Sequence, residues 1–220
     1  NSYYGNLDLK PEVAHTLSLA LQGDADAHRY RLGAFYQRVS NYIVGTPIAN
    51  PTGAATPANV LQYQNHDARL EGLEASWAYQ SGAWHFSSVL SYVRGRNLDS
   101  NGDLYRIAPL RLDLTAEYRS GTWSNSLHMR TAKGQDAIAE YNLAGLNNEL
   151  NTPGYAVFDW HGQWQASKTV KLNLGIDNLF DTLYFDHLGG INRVGGGDIA
   201  IGSRLPSAGR FAFAQLEWTL

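Results

Sequence analysis

The chain has 220 residues, 17 Lys and Arg against 20 Asp and Glu, and no cysteine, giving a net charge of -3 at a mean hydropathy of -0.33. That balance offers no basic surface for nucleic acid, and the missing cysteine excludes disulfide frameworks and thiolate metal sites within the chain. The longest stretch free of Lys, Arg, Asp and Glu, Val39–His66, holds Pro47, Pro51 and Pro57 among polar residues, so it reads as a loop and no transmembrane helix. No signal peptide pattern is present, which fits a mature protein or a segment of a longer one.

Along the chain run nine segments in which apolar and polar side chains alternate, the signature of half-buried strands. In the first, Val13, Leu17, Leu19 and Leu21 oppose Thr16, Ser18 and Ala20. Tyr30–Val39 keeps the pattern less well: Arg38 falls on the apolar parity and Phe35 on the polar one, which a bulge or an early end of the membrane-embedded part would explain. Leu73, Ala75, Trp77 and Tyr79 oppose Glu74 and Ser76, and Trp84, Phe86, Leu90 and Tyr92 oppose His85, Ser87 and Ser91.

Pro109–Arg119 is the clearest strand. Leu110, Leu112, Leu114, Ala116 and Tyr118 share one face, and Arg111, Asp113, Thr115, Glu117 and Arg119 the other. Trp123, Leu127 and Met129 then oppose Ser124, Ser126, His128 and Arg130. In Tyr155–Gln165, Phe158, Trp160 and Trp164 oppose Tyr155, Val157, Asp159, His161 and Gln163. Val170, Leu172, Leu174 and Ile176 oppose Lys171, Asn173 and Asp177. The last segment sets Ala212, Ala214, Leu216, Trp218 and Leu220 against Gln215 and Glu217.

The connections sort by parity. Short turns lie at Gly23–Ala27, Ser81–Gly82, Ser120–Gly121 and Ala166–Lys168. Long connections lie at Asn41–Asn65, Gly95–Ile107, Thr131–Thr152 and Asn178–Ala208. A soluble sandwich has little reason for such order, whereas a transmembrane β-barrel keeps short periplasmic turns and long external loops. The expected fold is therefore all-β, an antiparallel transmembrane barrel in the outer membrane, in contact with lipid and lipopolysaccharide. Trp77, Tyr79, Trp84, Tyr118, Trp123 and Trp164 lie near short turns, with Trp218 close to the C-terminus, and together predict an aromatic girdle at one membrane interface. A row of hairpin-end aromatics in a soluble core is the alternative. Glu74, Arg111, Asp113, Glu117, Arg119, Arg130, Lys171 and Asp177 are expected to face a wet lumen as mixed-sign charges that pair weakly through water.

Several stretches resemble TonB-dependent outer-membrane receptors. Gly5-Asn6-Leu7-Asp8-Leu9-Lys10-Pro11-Glu12 is similar to the segment that precedes a late barrel strand in that family, and Arg69-Leu70-Glu71-Gly72-Leu73-Glu74 to one of its strands. Leu174–Tyr184, reading LGIDNLFDTLY, resembles its penultimate-strand motif, and Ser207–Phe211 the approach to its final strand. The family's barrels have about 22 strands around a plug domain, so the resemblance implies that residues 1–220 hold about the last nine. The family usually ends in an aromatic residue; Trp218-Thr219-Leu220 departs from that. Tyr184–Val194 looks most like the copper-receptor branch, whose ligands lie largely in the plug and early barrel, and no copper ligand carries over to Met129, the chain's one methionine, which faces outward by parity.

The resemblance implies energised import gated by a plug and driven by the TonB complex, with copper as first substrate and a siderophore or haem as second. A surface receptor for a phage, toxin or host ligand is the alternative from another class. No resident cofactor is required; copper or a metal chelate would be cargo. Nine strands would leave two open edges, each unpaired group costing several kcal/mol in lipid, so the plug-bearing N-terminal half is the expected partner, as a separate chain.

Candidate chemistry is sparse. His128 and His161 share the polar parity on neighbouring strands and could approach a common metal, though polar histidines lining a wet interior or bonding the plug is the simpler reading. Asp186 and His187 could make a transient external metal contact or sit in a solvated loop. Asp99–Asp103 resembles a calcium loop but has Leu110 where a Glu is needed, so it reads as a turn. Gly189–Gly202 lacks the Lys-Ser/Thr of a phosphate loop. No catalytic triad or carboxylate pair stands out, and an enzyme is not expected.

Overall fold

The structure is a computed structural model and describes residues 3–53, 59–139 and 149–219. Among these residues no helix forms. The strands are β1 (Tyr3–Tyr4), β2 (Val13–Ala25), β3 (His28–Ala49), β4 (Asn59–Ser81), β5 (Trp84–Asn97), β6 (Arg111–Ser120), β7 (Trp123–Ala132), β8 (Tyr155–Gln165), β9 (Val170–Asp177) and β10 (Phe211–Trp218). From β2 to β10 each strand pairs antiparallel with its sequence neighbour, forming one continuous meander, and β1 adds a short parallel pairing with the far end of β4. The nine expected segments are β2 to β10. Leu220 lies outside the described residues.

At the turn end, Gly82 and Gly121 open two-residue turns in the left-handed region, at φ of 56° and 57°, where an L side chain would be strained. Asp26 takes the same conformation at 52°, which an Asp tolerates better than most residues. These tight reversals lock each hairpin's register, and a one-residue slip would exchange the two faces of the sheet.

Two expectations at the other end need correction. Most of Asn41–Asn65 is strand, since β3 and β4 run on as a long hairpin with Ala49 opposite Asn59. Pro47 and Gly45 hide this extension in the sequence. Pro47 is tolerated because β2 pairs with β3 only as far as Ser40, so this part of β3 is an edge. Residues 54–58 of that connection and 140–148 of the Thr131–Thr152 connection lie outside the described residues. The second correction concerns Tyr30–Val39. Its register is unbroken from His28 to Val39 and shifts only between Val39 and Tyr42, so no bulge moves Arg38 or Phe35 off its parity.

Phe35 has a different explanation. It pairs with Gly72, and a Cβ built on Gly72 would lie 2.3 Å from its ring. The ring thus covers a glycine across the strand, filling the space of a missing side chain. Phe213 does the same over Gly175 on β9, where a Cβ would meet the ring at 2.2 Å.

Register carries the two faces through the whole sheet. On one, Leu19, Ala34, Leu73 and Tyr92 form a row across β2 to β5. On the other, Glu74, Ser91, Arg111 and Ala132 form a row across β4 to β7. Leu114 and Leu127 on central strands remain 37% and 43% exposed, so their exposure is no edge effect. A leucine and aromatic face of this extent calls for an apolar solvent. A small core forms where the 98–109 loop folds over the charged side: Leu104 packs on Val39 and Ala68, with Tyr42, Leu70 and Ile107 around them.

Candidate functional site

The charged face of β6 to β10 is a field of ion pairs. Arg130 on β7 makes two bonds to Asp159 on β8, at 2.8 and 3.2 Å, and Asp159 also accepts the Asn178 backbone N–H at 2.8 Å. Lys171 reaches Glu217 at 2.6 Å, and Glu117 is held by Arg119 at 2.7 Å and the Ser124 hydroxyl at 2.6 Å. The eight residues expected to face the lumen share one face by register, and among the described residues all but Glu74 make an ion pair, Arg111 with Asp186 of the 178–208 loop and the others within the face.

The two strand histidines do not come together. His161 bonds Asp177 at 2.8 Å, while His128 lies 3.5 Å from Asp113 and 3.7 Å from Asp159. Among the described residues no group of three or more His, Asp or Glu side chains is arranged to hold a metal ion.

The long loops converge on the charged face. Arg111 at the start of β6 bonds both carboxylate oxygens of Asp186, at 2.9 and 2.8 Å, and the Leu188 N–H donates to the same carboxylate. Beside it lies a buried knot that sequence reasoning missed. His187 Nε2 meets Glu149 at 3.0 Å and its Nδ1 meets the Thr152 hydroxyl at 2.8 Å, with His187 and Glu149 side chains only 1% and 4% exposed. The Glu149 carboxylate also accepts the Arg106 and Ala139 backbone N–H groups, and the Arg204 guanidinium donates to the His187 and Leu150 carbonyls. Burial holds His187 below the ordinary histidine pKa, with Arg204 adding to the effect, although Glu149 opposes it. A Thr–His–Glu relay suggests nucleophilic chemistry, but Thr152 is 5% exposed and a substrate carbonyl could not reach its hydroxyl. The knot fastens loops together. His187 lies 35 and 38 residues from Thr152 and Glu149, and Arg106 lies 43 from Glu149, so no local pattern marks the knot.

A second fastening explains the LGIDNLFDTLY stretch. The buried Asn178 side chain donates to the Thr182 and Ala208 carbonyls and accepts the Thr182 N–H, while Asp181 accepts the Arg210 N–H at 2.8 Å. Asn178 and Asp181 both sit at positive φ, 50° and 54°. The motif closes the 178–208 loop onto the start of β10. The Asp99 stretch likewise forms a turn, its carboxylate accepting the Asp67 N–H and meeting His66.

At the turn end of the leucine face, aromatic rings pack in series, some stacked and some tilted. Trp77 and Tyr79 lie 6.0 Å apart, Trp84 and Tyr118 4.8 Å, and Trp123 and Trp164 5.6 Å. The family profile described as TonB dependent receptor-like, beta-barrel matches residues 1–179. The chain belongs to that family. Its place is the outer membrane, as part of a TonB-dependent receptor. Among solved structures, "Copper transporter OprC" aligns with a TM-score of 0.85 at 27% identity, over 96% of this chain and 32% of that one. The FrpB iron transporter from Neisseria meningitidis aligns at 0.72 and 16% identity, a likeness of fold. By sequence, the heme/hemopexin utilization protein C of Haemophilus influenzae strain 86-028NP is 28% identical over 84% of this chain, and the hemoglobin-haptoglobin utilization protein B of Neisseria meningitidis serogroup C is 24% identical over 93%. The chain spans 27% and 30% of those two relatives' lengths.

Proposed function

We propose that this chain forms the C-terminal wall of a receptor that imports a metal-bearing substrate by TonB-driven movement of a plug. Copper is the first substrate. The observation that carries this is the likeness to the copper transporter, at a TM-score of 0.85 and 27% identity, against 0.72 and 16% for the FrpB iron transporter. The charged face lines the lumen and the leucine face meets lipid, with the stacked aromatics as the periplasmic girdle. Many solvated pairs, each worth about 0–1 kcal/mol, hold a plug yet let force remove it piecemeal. The edges at β2 and β10 pair with the plug-bearing remainder of the barrel, and the mass of the denatured receptor decides whether that remainder is a separate chain.

A second reading has its own support. A cleft beside the His187 knot is lined by Arg106, Arg193 and Arg204, with Glu149 as its carboxylate. Such a surface suits an anionic chelate, haem or a siderophore, better than a bare cation, and the haem-receptor relatives agree with it. Metal analysis of the intact receptor, followed by uptake with and without TonB, separates the readings. Bound copper and TonB-dependent copper uptake support the first. Uptake of chelate alone supports the second, and binding without TonB-dependent uptake would leave only a surface receptor.

A further inference from the structure

Three arginines lie side by side on the leucine face. Register sets Arg38 opposite Arg69 and Arg69 opposite Arg96, so one row across β3, β4 and β5 carries three guanidiniums, and His15 on β2 lies opposite Arg38. Arg94 lies one step lower, opposite Glu71. Like charges directly opposite one another destabilise a sheet, so this row needs compensation.

The carboxylates nearby supply part of it. Arg38 reaches Asp67 at 3.5 Å, Arg69 reaches Glu71 at 3.7 Å, and Arg94 reaches Asp103 at 3.7 Å. These contacts are looser than the 2.6 to 2.8 Å pairs of Lys171, Arg119 and Arg130 on the other face. Arg96 makes no ion pair among the described residues, and the Arg38 side chain is 60% exposed.

Height in the membrane identifies what lies beside the row. Arg69 stands eight positions along β4 from Trp77 of the aromatic series. At about 3.4 Å per residue and a tilt of about 40°, the row is roughly 20 Å above the girdle, close to the apolar band of about 25 Å. Directly below it lies the mixed row of Leu17, Tyr36, Glu71 and Arg94, and one step further down the apolar row of Leu19, Ala34, Leu73 and Tyr92. An arginine facing lipid costs about 2–4 kcal/mol at midplane but about 0–1 near the interface. The row therefore belongs at the outer-leaflet headgroups, on the side of the long loops.

We propose that the Arg38–Arg69–Arg96 row docks the phosphate groups of the phosphorylated glycolipid of the outer leaflet. A guanidinium fork matches phosphate oxygens two at a time, and neighbouring strands space the three forks about 5 Å apart, close enough to share one phosphate or grip two. The loose carboxylate contacts keep the guanidiniums at the surface without saturating their donors. The site rests on the barrel assignment and on the leucine face meeting lipid, and is independent of the imported substrate.

The test uses the intact receptor, purified in mild detergent and offered bis-phosphorylated lipid A or its dephosphorylated form, with bound lipid counted by native mass spectrometry. Retention of the phosphorylated lipid should exceed that of the other by about tenfold or more, given the strength of charge-assisted hydrogen bonds. The R38Q/R69Q/R96Q variant should lose that preference. Equal retention of the two lipids by the unmodified receptor overturns the proposal even if the variant does not insert. So does a folded variant that keeps the full preference. Millimolar inorganic phosphate should fail to displace the lipid; displacement would show a site for free anions and overturn the lipid assignment.

Discussion

Replacing Asn178 with Ala tests whether the LGIDNLFDTLY stretch is a loop fastening. The side chain donates to Thr182 and Ala208 carbonyls at 2.9 and 3.3 Å and accepts the Thr182 N–H at 2.8 Å. The residue is 2% exposed, so water cannot replace the lost partner without the site opening. An N–H left unpaired there costs about 1–3 kcal/mol. The backbone at φ 50° adds about 1–2 kcal/mol for a residue with a Cβ and no local hydrogen bond to offset it. The loop should loosen by about 2–5 kcal/mol, while the Asn178 N–H to Asp159 persists because it is backbone. Hydrogen exchange of peptides covering 179–210 in the folded receptor should accelerate about thirty-fold or more, at about 1.4 kcal/mol per factor of ten. Asn178→Gly separates the two contributions, since it keeps the conformation and loses only the side-chain bonds, and should exchange about five- to thirtyfold more slowly than the Ala variant. An Ala variant within about fivefold of wild type would refute the reasoning.

Gly72→Ala should cost about 1–3 kcal/mol, because the new Cβ meets the Tyr92 carbonyl at 2.7 Å as well as the Phe35 ring, whereas Gly33→Ala, with nothing nearer than 3.9 Å, should be tolerated. Denaturant midpoints of the two variants check this, and equal shifts would count against the ring-over-glycine packing. The His187 knot should hold best above about pH 6.5 and loosen as the pH falls below it. With the folded-state pKa depressed, the opened loop binds a proton the closed loop refuses, so acid favours opening. Hydrogen exchange of 185–205 across that range, corrected for intrinsic rates, should show the trend, and His187→Gln should flatten it. Single cysteines at Arg111 and Asp113 should react with a membrane-impermeant maleimide in the inserted receptor, while those at Leu112 and Leu114 stay protected. The reverse pattern would mean that the faces are assigned the wrong way round.

The sequence by itself determined the strands and their two faces, because a period of two is a local property. Leu110 to Tyr118 against Arg111 to Arg119 needs no tertiary information. The parity of turns and loops was legible for the same reason, and so was the row of aromatic rings at the turn end, since each ring's distance from its turn can be counted along the chain. Tertiary structure decided whatever depends on pairing across strands or loops. The β3–β4 extension is held by cross-strand bonds that Pro47 and Gly45 conceal. Phe35 looked misplaced until register put Gly72 beneath it. His187 read as a solvated loop residue because nothing near it in sequence announces Glu149 or Thr152. Arg38 alone was an anomaly on an apolar face; with Arg69 and Arg96 beside it, it is a row of like charge, and only register could bring the three together.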